Sequence, residues 1–339
     1  MATVTTSSVA RRLLIISLGC VWLGGCEAPP PESTQSGYRG TGMVQVENPR
    51  KLARLVAAST PPAGVPAPAA AAGPKASEVF KNVQVLGDLD VASFTHLMAS
   101  VTEWVSPEQG CAYCHEGNDL SQDTLYTKVV ARRMLEMTRG INDEWQVHAG
   151  QTGVTCYTCH RGKPVPERIW FKDPGPPQAL GAAARRNGQN LASASVGYAS
   201  LPFDTLSRYL GANGNIRVVS TQALPGRPGS SIDDTEHTYG LMMHLTDSLG
   251  VNCTYCHNSR AFSDWQQSPA ARVTAWHGIQ MVRALNADYL VPLSPQYPPN
   301  RLGVTGDGPK LSCATCHRGQ PKPLNGVSML SDVRGLSSK

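Results

Sequence analysis

The sequence predicts a mainly α-helical fold with extensive irregular structure, arranged as two similar halves. Apolar residues recur at spacings of three and four in four separate stretches, which is typical of helices with one buried face. The chain of 339 residues contains 32 glycines and 26 prolines but only 6% aromatic residues, so we expect many loops around a small protein core. A five-residue motif occurs four times in two alternating kinds, which indicates an internal duplication.

The repeated motif is Cys-x-x-Cys-His. Its copies use eight of the ten cysteines: Cys111, Cys114 and His115; Cys156, Cys159 and His160; Cys253, Cys256 and His257; Cys313, Cys316 and His317. This is the attachment signature of a c-type haem, in which two thiols bond to the porphyrin and the histidine binds the iron. Zinc sites and disulfide frameworks do not require a histidine after every cysteine pair. The sequence therefore predicts four covalently bound haem c groups, which would supply much of the apolar interior.

Residues 1–25 are predicted to form a signal peptide of the lipoprotein type. Two arginines precede a hydrophobic stretch, Leu13 to Leu23, that is too short to span a bilayer. Two glycines then lead to Cys26, which we expect to become the lipidated first residue of the mature chain, with Cys20 as the weaker alternative. Two or three acyl chains would hold the protein on a membrane. Residues 26–78 are predicted to be an anchor segment that ends in a linker rich in alanine and proline.

Each half is predicted to read helix, haem motif, helix, haem motif. The first dihaem module comprises residues 79–200 and the second comprises residues 236–339, with a connecting segment at 201–235. The predicted helices are 91–105 and 125–142 in the first module, and 241–249 and 270–290 in the second.

Two details of the sequence support the duplication. Tyrosine precedes the second cysteine in the first and third motifs, whereas threonine does so in the second and fourth. Met137–Asn142 resembles Met281–Asn286, which aligns the second helices of the two modules. In this alignment Gly278 stands where the first module has Met134.

Each iron needs a second axial ligand, and methionine or histidine can supply it. Met98 and Met242 lie on corresponding helices ahead of the first and third motifs, and Met242 shares an apolar stripe with two leucines that its neighbour Met243 does not. The second haem could take Met134 or Met137.

If Met134 is the ligand of the second haem, the fourth haem lacks the corresponding methionine and requires a different ligand. His148, expected in irregular chain between the motifs, is the best candidate to cross over to the fourth haem, with His277 and Met281 as rivals. His96, His237 and His244 have no such argument and are expected to be structural or on the surface.

Further spans of the sequence carry a family resemblance in addition to the motifs and Cys26. They are residues 35–40, 79–87, 102–107 and 216–227. With these spans, the chain resembles the tetrahaem cytochrome subunit of the purple-bacterial photosynthetic reaction centre over nearly all of its mature length.

The resemblance implies a set of ligands. Met98, Met134 and Met242 match the methionine ligands of the first three haems, and His148 matches the histidine ligand of the fourth. Arg272 resembles an arginine near the third haem, where a positive charge would raise the reduction potential.

The resemblance also implies a function, which is electron relay along a row of haems. The partners would be the membrane-embedded reaction-centre subunits, whose oxidised bacteriochlorophyll pair is reduced, and a soluble periplasmic cytochrome c or high-potential iron–sulfur protein, which refills the row. The third haem would be nearest the pair. The protein would lie on the periplasmic face of the inner photosynthetic membrane, and it would not be an enzyme.

Two other classes of protein are compatible with a multihaem sequence. A periplasmic multihaem reductase would need an iron with an open coordination site, and the eight candidate ligands leave none open. A free-standing periplasmic electron shuttle would need no lipid. A net charge of +5 gives no support for nucleic-acid binding.

Overall fold

The computed structural model describes residues 29–37, 43–68, 73–150, 152–174, 191–192, 194–219 and 231–338. Its α-helices are α1 (Pro49–Ala58), α2 (Ala76–Val79), α3 (Val91–Val105), α4 (Tyr126–Glu144), α5 (Gln146–Ala149), α6 (Cys156–His160), α7 (Thr205–Tyr209), α8 (Ile232–Leu249), α9 (Ala271–Leu285) and α10 (Cys313–His317). The prediction of a mainly helical fold is confirmed. The predicted signal peptide and both candidate lipid cysteines, Cys26 and Cys20, lie outside the described residues.

Short helical turns and two small hairpins complete the described structure. The 3-10 turns are Gly110–Tyr113, Ala194–Val196, Cys253–Tyr255, Val291–Gln296, Pro299–Arg301, Pro323–Gly326 and Leu330–Asp332, and one π turn spans Asn286–Leu290. Strand β1 (Glu32–Gln35) pairs antiparallel with β2 (Val44–Glu47), and β3 (Leu191–Ala192) pairs antiparallel with β4 (Ser200–Leu201). No helix in these residues is both long and apolar enough to cross a membrane.

The four predicted long helices are present, but two of them differ in extent. Helix α8 begins at Ile232, ahead of the apolar stripe, because Ser231 and Asp234 form a capping box and a polar first half follows. Helix α9 ends at Leu285 rather than at Leu290, and a π turn follows it. The side chain of Asn286 at this junction bonds to two other backbone segments, which fixes the end of the helix.

The prediction that His148 lies in irregular chain is wrong. The residue belongs to α5, a single helical turn that follows α4 after Trp145. The turn is too short to show periodicity in a sequence, so no pattern could have predicted it.

Buried side chains form two clusters. The larger cluster joins α4, α7, α8 and α9 through residues such as Ile141, Leu206, Tyr209, Leu241 and Ile279. The smaller cluster packs the C-terminal segment against α3, with Leu97 and Trp104 meeting Leu324, Met329 and Leu336. The segment 201–235, predicted only as a connection, therefore contributes core residues through α7.

An asparagine near the end of each second helix holds the chain just before a motif in the same way. Asn142 accepts a hydrogen bond from the backbone N–H of Val154 (2.7 Å) and donates one to the carbonyl of the same residue (3.0 Å). Asn286 makes the same two bonds to Leu311, at 2.8 and 3.0 Å. Val154 and Leu311 each lie two residues before the first cysteine of a motif.

A second contact is also made twice. The backbone N–H of Gly162, after the second motif, donates to the carbonyl of Trp104 in α3 (2.8 Å). The N–H of Gly319, after the fourth motif, donates to the carbonyl of Ser248 in α8 (2.7 Å). Trp104 lies six residues beyond Met98, and Ser248 lies six residues beyond Met242. The second and fourth motifs are thus attached at equivalent places on equivalent helices.

Candidate haem sites

The four motifs have two local conformations that follow the tyrosine/threonine difference. The first and third form 3-10 turns, Gly110–Tyr113 and Cys253–Tyr255. The second and fourth form α6 and α10. In these two helices the motif threonine caps the helix start, because Thr158 Oγ1 accepts from the N–H of Thr155 and Thr315 Oγ1 accepts from the N–H of Ser312, both at 3.0 Å.

All four motif histidines bond through Nδ1 to a backbone carbonyl. His115 and His257 reach the carbonyl five residues later, Leu120 at 2.8 Å and Phe262 at 2.9 Å. His160 and His317 reach the carbonyl three residues later, Lys163 at 2.9 Å and Gln320 at 3.0 Å. With Nδ1 as the donor, the neutral imidazole keeps a lone pair on Nε2, which is the state that binds a metal ion.

A cavity of about 1600 Å³ runs through the protein and is lined mainly by apolar groups. It exceeds the roughly 300–1,000 Å³ of an ordinary small-molecule pocket. The motif cysteines and histidines that line it are Cys111, Cys114, His115, Cys156, Cys159, His160, Cys313, Cys316 and His317. The third motif contributes only Tyr255 to the lining, and its Cys253 is exposed. The first, second and fourth motifs therefore share one interior, whereas the cysteines and the histidine of the third motif lie outside it.

All eight motif cysteines have free thiols. Burial raises the pKa of Cys156 and Cys313 to about 12 and that of Cys256 to about 11. The residues present fit haem c, because each motif offers two thiols and an imidazole with a free Nε2 beside an apolar interior or surface.

Two of the predicted methionine ligands line the cavity. Met98 in α3 and Met134 in α4 both face it, together with Met137. Met242 packs against the larger core cluster beside Leu245. Met243 lies instead next to Gly197, with its Cε 4.0 Å from where a Cβ of that glycine would be. Met242 and Met243 therefore face different neighbours.

His148 lies opposite His317. The centroids of the two imidazole rings are 5.9 Å apart, and the rings are inclined at 68°. Two imidazoles on one metal ion, each with a metal–nitrogen bond of about 2 Å, would have centroids roughly 6 Å apart. Nδ1 of His148 bonds to the carbonyl of Thr274 in α9 (2.9 Å), which leaves its Nε2 free.

Gly278 makes room for His148. A Cβ at this position would lie 2.5 Å from Cε1 of His148 and 2.8 Å from its Nδ1, closer than atoms can approach. The rival Met281 is buried and also lines the cavity, whereas His277 is not among the residues that line it. The glycine that aligns with Met134 is thus the residue over which the imidazole packs.

The second and fourth motifs touch. Sγ of Cys159 lies 2.7 Å from Sγ of Cys316, and the guanidinium of Arg318 donates to the carbonyl of Cys159 (2.8 Å). These two attachment sites are therefore adjacent, although their motifs are far apart in the sequence.

Arg272 lies beside the third motif. Its guanidinium stacks 4.0 Å above the ring of Trp265 and donates to the carbonyl of Asp264 (3.0 Å) and to Oγ of Ser268 (2.8 Å). Its charge contributes to the lowered pKa of His257, after the larger effect of burial. Trp265 was not predicted as a functional residue, because an aromatic residue in a loop carries no pattern.

The three remaining histidines have protein partners. His96 is buried with Nε2 3.0 Å from the carbonyl of Val65, and His244 is buried with Nδ1 3.1 Å from the carbonyl of Ser195. His237 lies beside Asp233. Their surroundings are those of structural residues.

Comparison with known proteins identifies the family. The sequence model described as "Photosynthetic reaction centre cytochrome C subunit" matches residues 27–337. The chain belongs to this family. It is 49% identical to the photosynthetic reaction center cytochrome c subunit of Thermochromatium tepidum over 322 residues, which cover 95% of this chain and 79% of the relative.

Two further relatives are informative. The cytochrome c subunit of Rubrivivax gelatinosus is 49% identical over 93% of this chain and 86% of its own. Cytochrome c-554 of Chloroflexus aurantiacus is 27% identical over 75% of this chain and 72% of its own. Membership of the reaction-centre cytochrome family implies covalently bound haem c and a role in electron transfer, which favours haem attachment over zinc or disulfide formation at the motifs.

Proposed function

We propose that this reaction-centre cytochrome holds four haem c groups in two dihaem modules. Three repeated features support a module that is present twice. Asn142 and Asn286 each clamp the chain before a motif through two side-chain hydrogen bonds, and we call this arrangement the asparagine clamp. The motifs also alternate between two conformations and between two positions of the carbonyl that accepts from Nδ1. When bound, each haem supplies a one-electron iron couple at its site. The protein residues would attach the macrocycles and fix the imidazole orientations.

We assign the axial pairs by the helices that carry the methionines. Met98 and His115 would hold the first iron, Met134 and His160 the second, and Met242 and His257 the third. The fourth pair is His148 with His317, and it is supported by the facing imidazoles and the cleared space over Gly278. Three methionine–histidine pairs and one histidine–histidine pair would give the row unequal potentials, because methionine ligation raises the potential relative to histidine.

The order of the sites follows from the contact between Cys159 and Cys316. If the two modules are related by a pseudo-two-fold axis, the adjacent second and fourth sites lie at the centre of the row. The first and third sites then lie at opposite ends. The third site, which lies outside the shared cavity, is suited to contact a partner, and Arg272 beside it would raise the reduction potential there.

The protein delivers electrons to the photo-oxidised bacteriochlorophyll pair of the reaction centre and receives them from a soluble periplasmic cytochrome c or a high-potential iron–sulfur protein. The observation that carries this proposal is the family match over residues 27–337. It is supported by the four motif imidazoles, whose Nδ1 hydrogen bonds leave Nε2 free to bind iron. In this proposal the protein transfers electrons at the periplasmic face of the membrane, where lipid on Cys26 anchors it.

Flash spectroscopy of isolated membranes tests the role. A short flash should oxidise a c-type haem as the bacteriochlorophyll pair becomes reduced again. Membranes with intact reaction centres and bound cytochrome that show no such oxidation would rule out the proposed role.

Substitution of the anchor cysteine tests the localisation. Cys26→Ser should move the cytochrome from the membrane to the soluble fraction, because it removes the only acyl attachment proposed. Cys20→Ser is the matched control and should leave the protein on the membrane. Retention of the Cys26→Ser protein under conditions that free it from reaction centres would exclude the anchor.

A further inference from the structure

We propose that the N-terminal hairpin, formed by β1 and β2, is a clip that holds the third haem-binding loop at the membrane side of the protein. Gln45 is its central positioning residue. The inference rests on the proposed lipid anchor and electron-transfer role, and it identifies the residues that connect them.

The side chain of Gln45 pairs with the loop before the third motif. Its Nε2 donates to the carbonyl of Gly250 (3.1 Å), and its Oε1 accepts from the backbone N–H of Asn252 (2.9 Å). The amide thus bonds to the loop as a neighbouring strand would, with one donor and one acceptor. Gly250 follows α8, which carries Met242, and Asn252 precedes Cys253. The hairpin therefore bonds to the loop between α8 and the third motif, the two elements that carry the proposed ligands of this site.

Asn252 connects the same hairpin to the motif itself. Its Nδ2 donates to the carbonyl of Val44 in β2 (2.5 Å), while its Oδ1 accepts from the N–H and the hydroxyl of Thr254 (3.0 and 2.7 Å). Thr254 is the first residue between the two motif cysteines. Oγ of Ser36 adds a longer contact to Oγ1 of Thr254 (3.4 Å). A displacement of the hairpin would therefore be transmitted directly to the haem-attachment turn.

The clip is specific to the third site. In the first motif, Gly110 occupies the position of Asn252, directly before the first cysteine, and it has no side chain with which to bond a strand. Within the described ranges, every hydrogen bond that a hairpin side chain makes outside the hairpin goes to residues 250–254. Of two otherwise equivalent sites, the hairpin holds only the third.

The length of chain before the hairpin connects the clip to the membrane. Glu32 lies six positions after Cys26, with five residues between them. A fully extended chain of that length reaches about 20 Å. A lipid on Cys26 therefore keeps the hairpin, and the third loop bonded to it, within that distance of the bilayer surface. The clip would thus fix the orientation of the third site relative to the membrane, which a flexible acyl attachment alone would not do.

The test compares the double variant S36A/Q45A with Gln35→Ala in photosynthetic membranes. The double variant removes the side-chain contacts of Ser36 and Gln45 to the loop, whereas the side chain of Gln35 bonds to the carbonyl of Gly37 inside the hairpin. We measure haem content, membrane retention, amide hydrogen exchange at residues 250–254, and the rate of flash-induced haem oxidation. The double variant should keep four haems and stay on the membrane. Its backbone amides at residues 250–254 should exchange about tenfold faster than in the wild type, and its haem should be oxidised several-fold more slowly after a flash.

Two results would overturn the clip. One is unchanged exchange at 250–254, which would mean that the hairpin does not hold the loop. The other is faster exchange with flash oxidation at the rate of the wild type. Absence of flash oxidation in the wild type itself would instead refute the proposed function, so the two failures are distinguishable. Gln35→Ala should match the wild type in every measurement.

Discussion

At the scale of single residues, the fourth site depends on a glycine that leaves room for an imidazole. Helix α9 has a glycine, Gly278, at the position that aligns with Met134 of α4, and the imidazole of His148 fills the space above this glycine. His148, which follows α4, therefore packs against α9 as well as facing His317. Its Nδ1 bond to Thr274 fixes the ring on α9.

The first prediction concerns the identity of this ligand. His148→Met should raise the potential of one haem of the four by a sizeable part of the roughly 0.8 V that axial ligands span, because a thioether favours ferrous iron more than imidazole does. Redox titration of the purified protein measures the change. His96→Met, at a histidine that faces Val65, is the control and should leave all four potentials unchanged.

The second prediction concerns the space above Gly278. Gly278→Ala should displace His148, since the new methyl group would overlap the imidazole, and one reduced haem should then bind carbon monoxide. Gly64→Ala adds a methyl group where no atom lies within 4 Å and should not allow carbon monoxide to bind. A Gly278→Ala protein with four closed haems would show that His148 is not the ligand.

Sequence patterns predicted this site in part. Alignment of Met137–Asn142 with Met281–Asn286 pointed to the missing methionine, and the count of irons pointed to His148. The carbonyl acceptors of the imidazoles could not be predicted, because every residue has a carbonyl and only the path of the chain selects one. Gln45 was missed for a similar reason, since its partner lies about two hundred residues away.

At the scale of elements, the second helices act as fixed supports for the motifs that follow them. Asn142 and Asn286 each bond in both directions to the chain before a motif, and each adds a third bond, to Leu336 (2.6 Å) and Leu210 (3.0 Å) respectively. Periodicity predicted where these helices lie. It could not predict that α9 stops at Leu285, because the cause is a side chain bonded to distant backbone.

The third prediction is a loss of stability when such a clamp is removed. Asn286→Ala should lower the free energy of unfolding by about 3 kcal/mol, because three hydrogen bonds are lost and the buried backbone groups remain unpaired. Asn142→Ala should have a similar effect. Denaturant unfolding of the haem-loaded protein measures both, with the exposed Asn215→Ala as the control. A decrease of less than about 0.5 kcal/mol in the free energy of unfolding would contradict a stabilising role for these asparagine side chains.

The fourth prediction concerns acid stability at the start of α8. The backbone N–H of Ser231 and the guanidinium of Arg208 hold the pKa of Asp234 well below its usual range. The unfolded chain, with an aspartate pKa of about 4, therefore binds a proton that the folded chain does not. This stabilisation is complete above about pH 4 and is lost as the pH falls further. Asp234→Asn should reduce the fall in Tm between pH 5 and 3, and an unchanged fall would contradict the assignment.

At the scale of the whole molecule, the interior is built around space for cofactors. The two protein clusters are modest, and the cavity of about 1600 Å³ lies beside them. Low aromatic content and many glycines and prolines predicted such an interior, but not that three motifs would open into one cavity. That arrangement depends on how distant helices pack together, which no local pattern encodes.

The fifth prediction follows from that interior. A chain produced without haem attachment should lack cooperative thermal unfolding and should be cleaved rapidly by proteases, because an apolar cavity of this size cannot remain empty. Circular dichroism and limited proteolysis of matched haem-free and haem-loaded samples measure the difference. A cooperative, protease-resistant haem-free chain would show that the polypeptide folds independently.

The close approach of Cys159 and Cys316 has a consequence for biosynthesis. In an oxidising compartment, two neighbouring thiols are prone to oxidise to a cystine. Such a cross-link would use one thiol from each of two motifs and block both attachments at once. If the chain matures in such a compartment, we expect haem attachment at one or both of these motifs to precede the approach of the two cysteines.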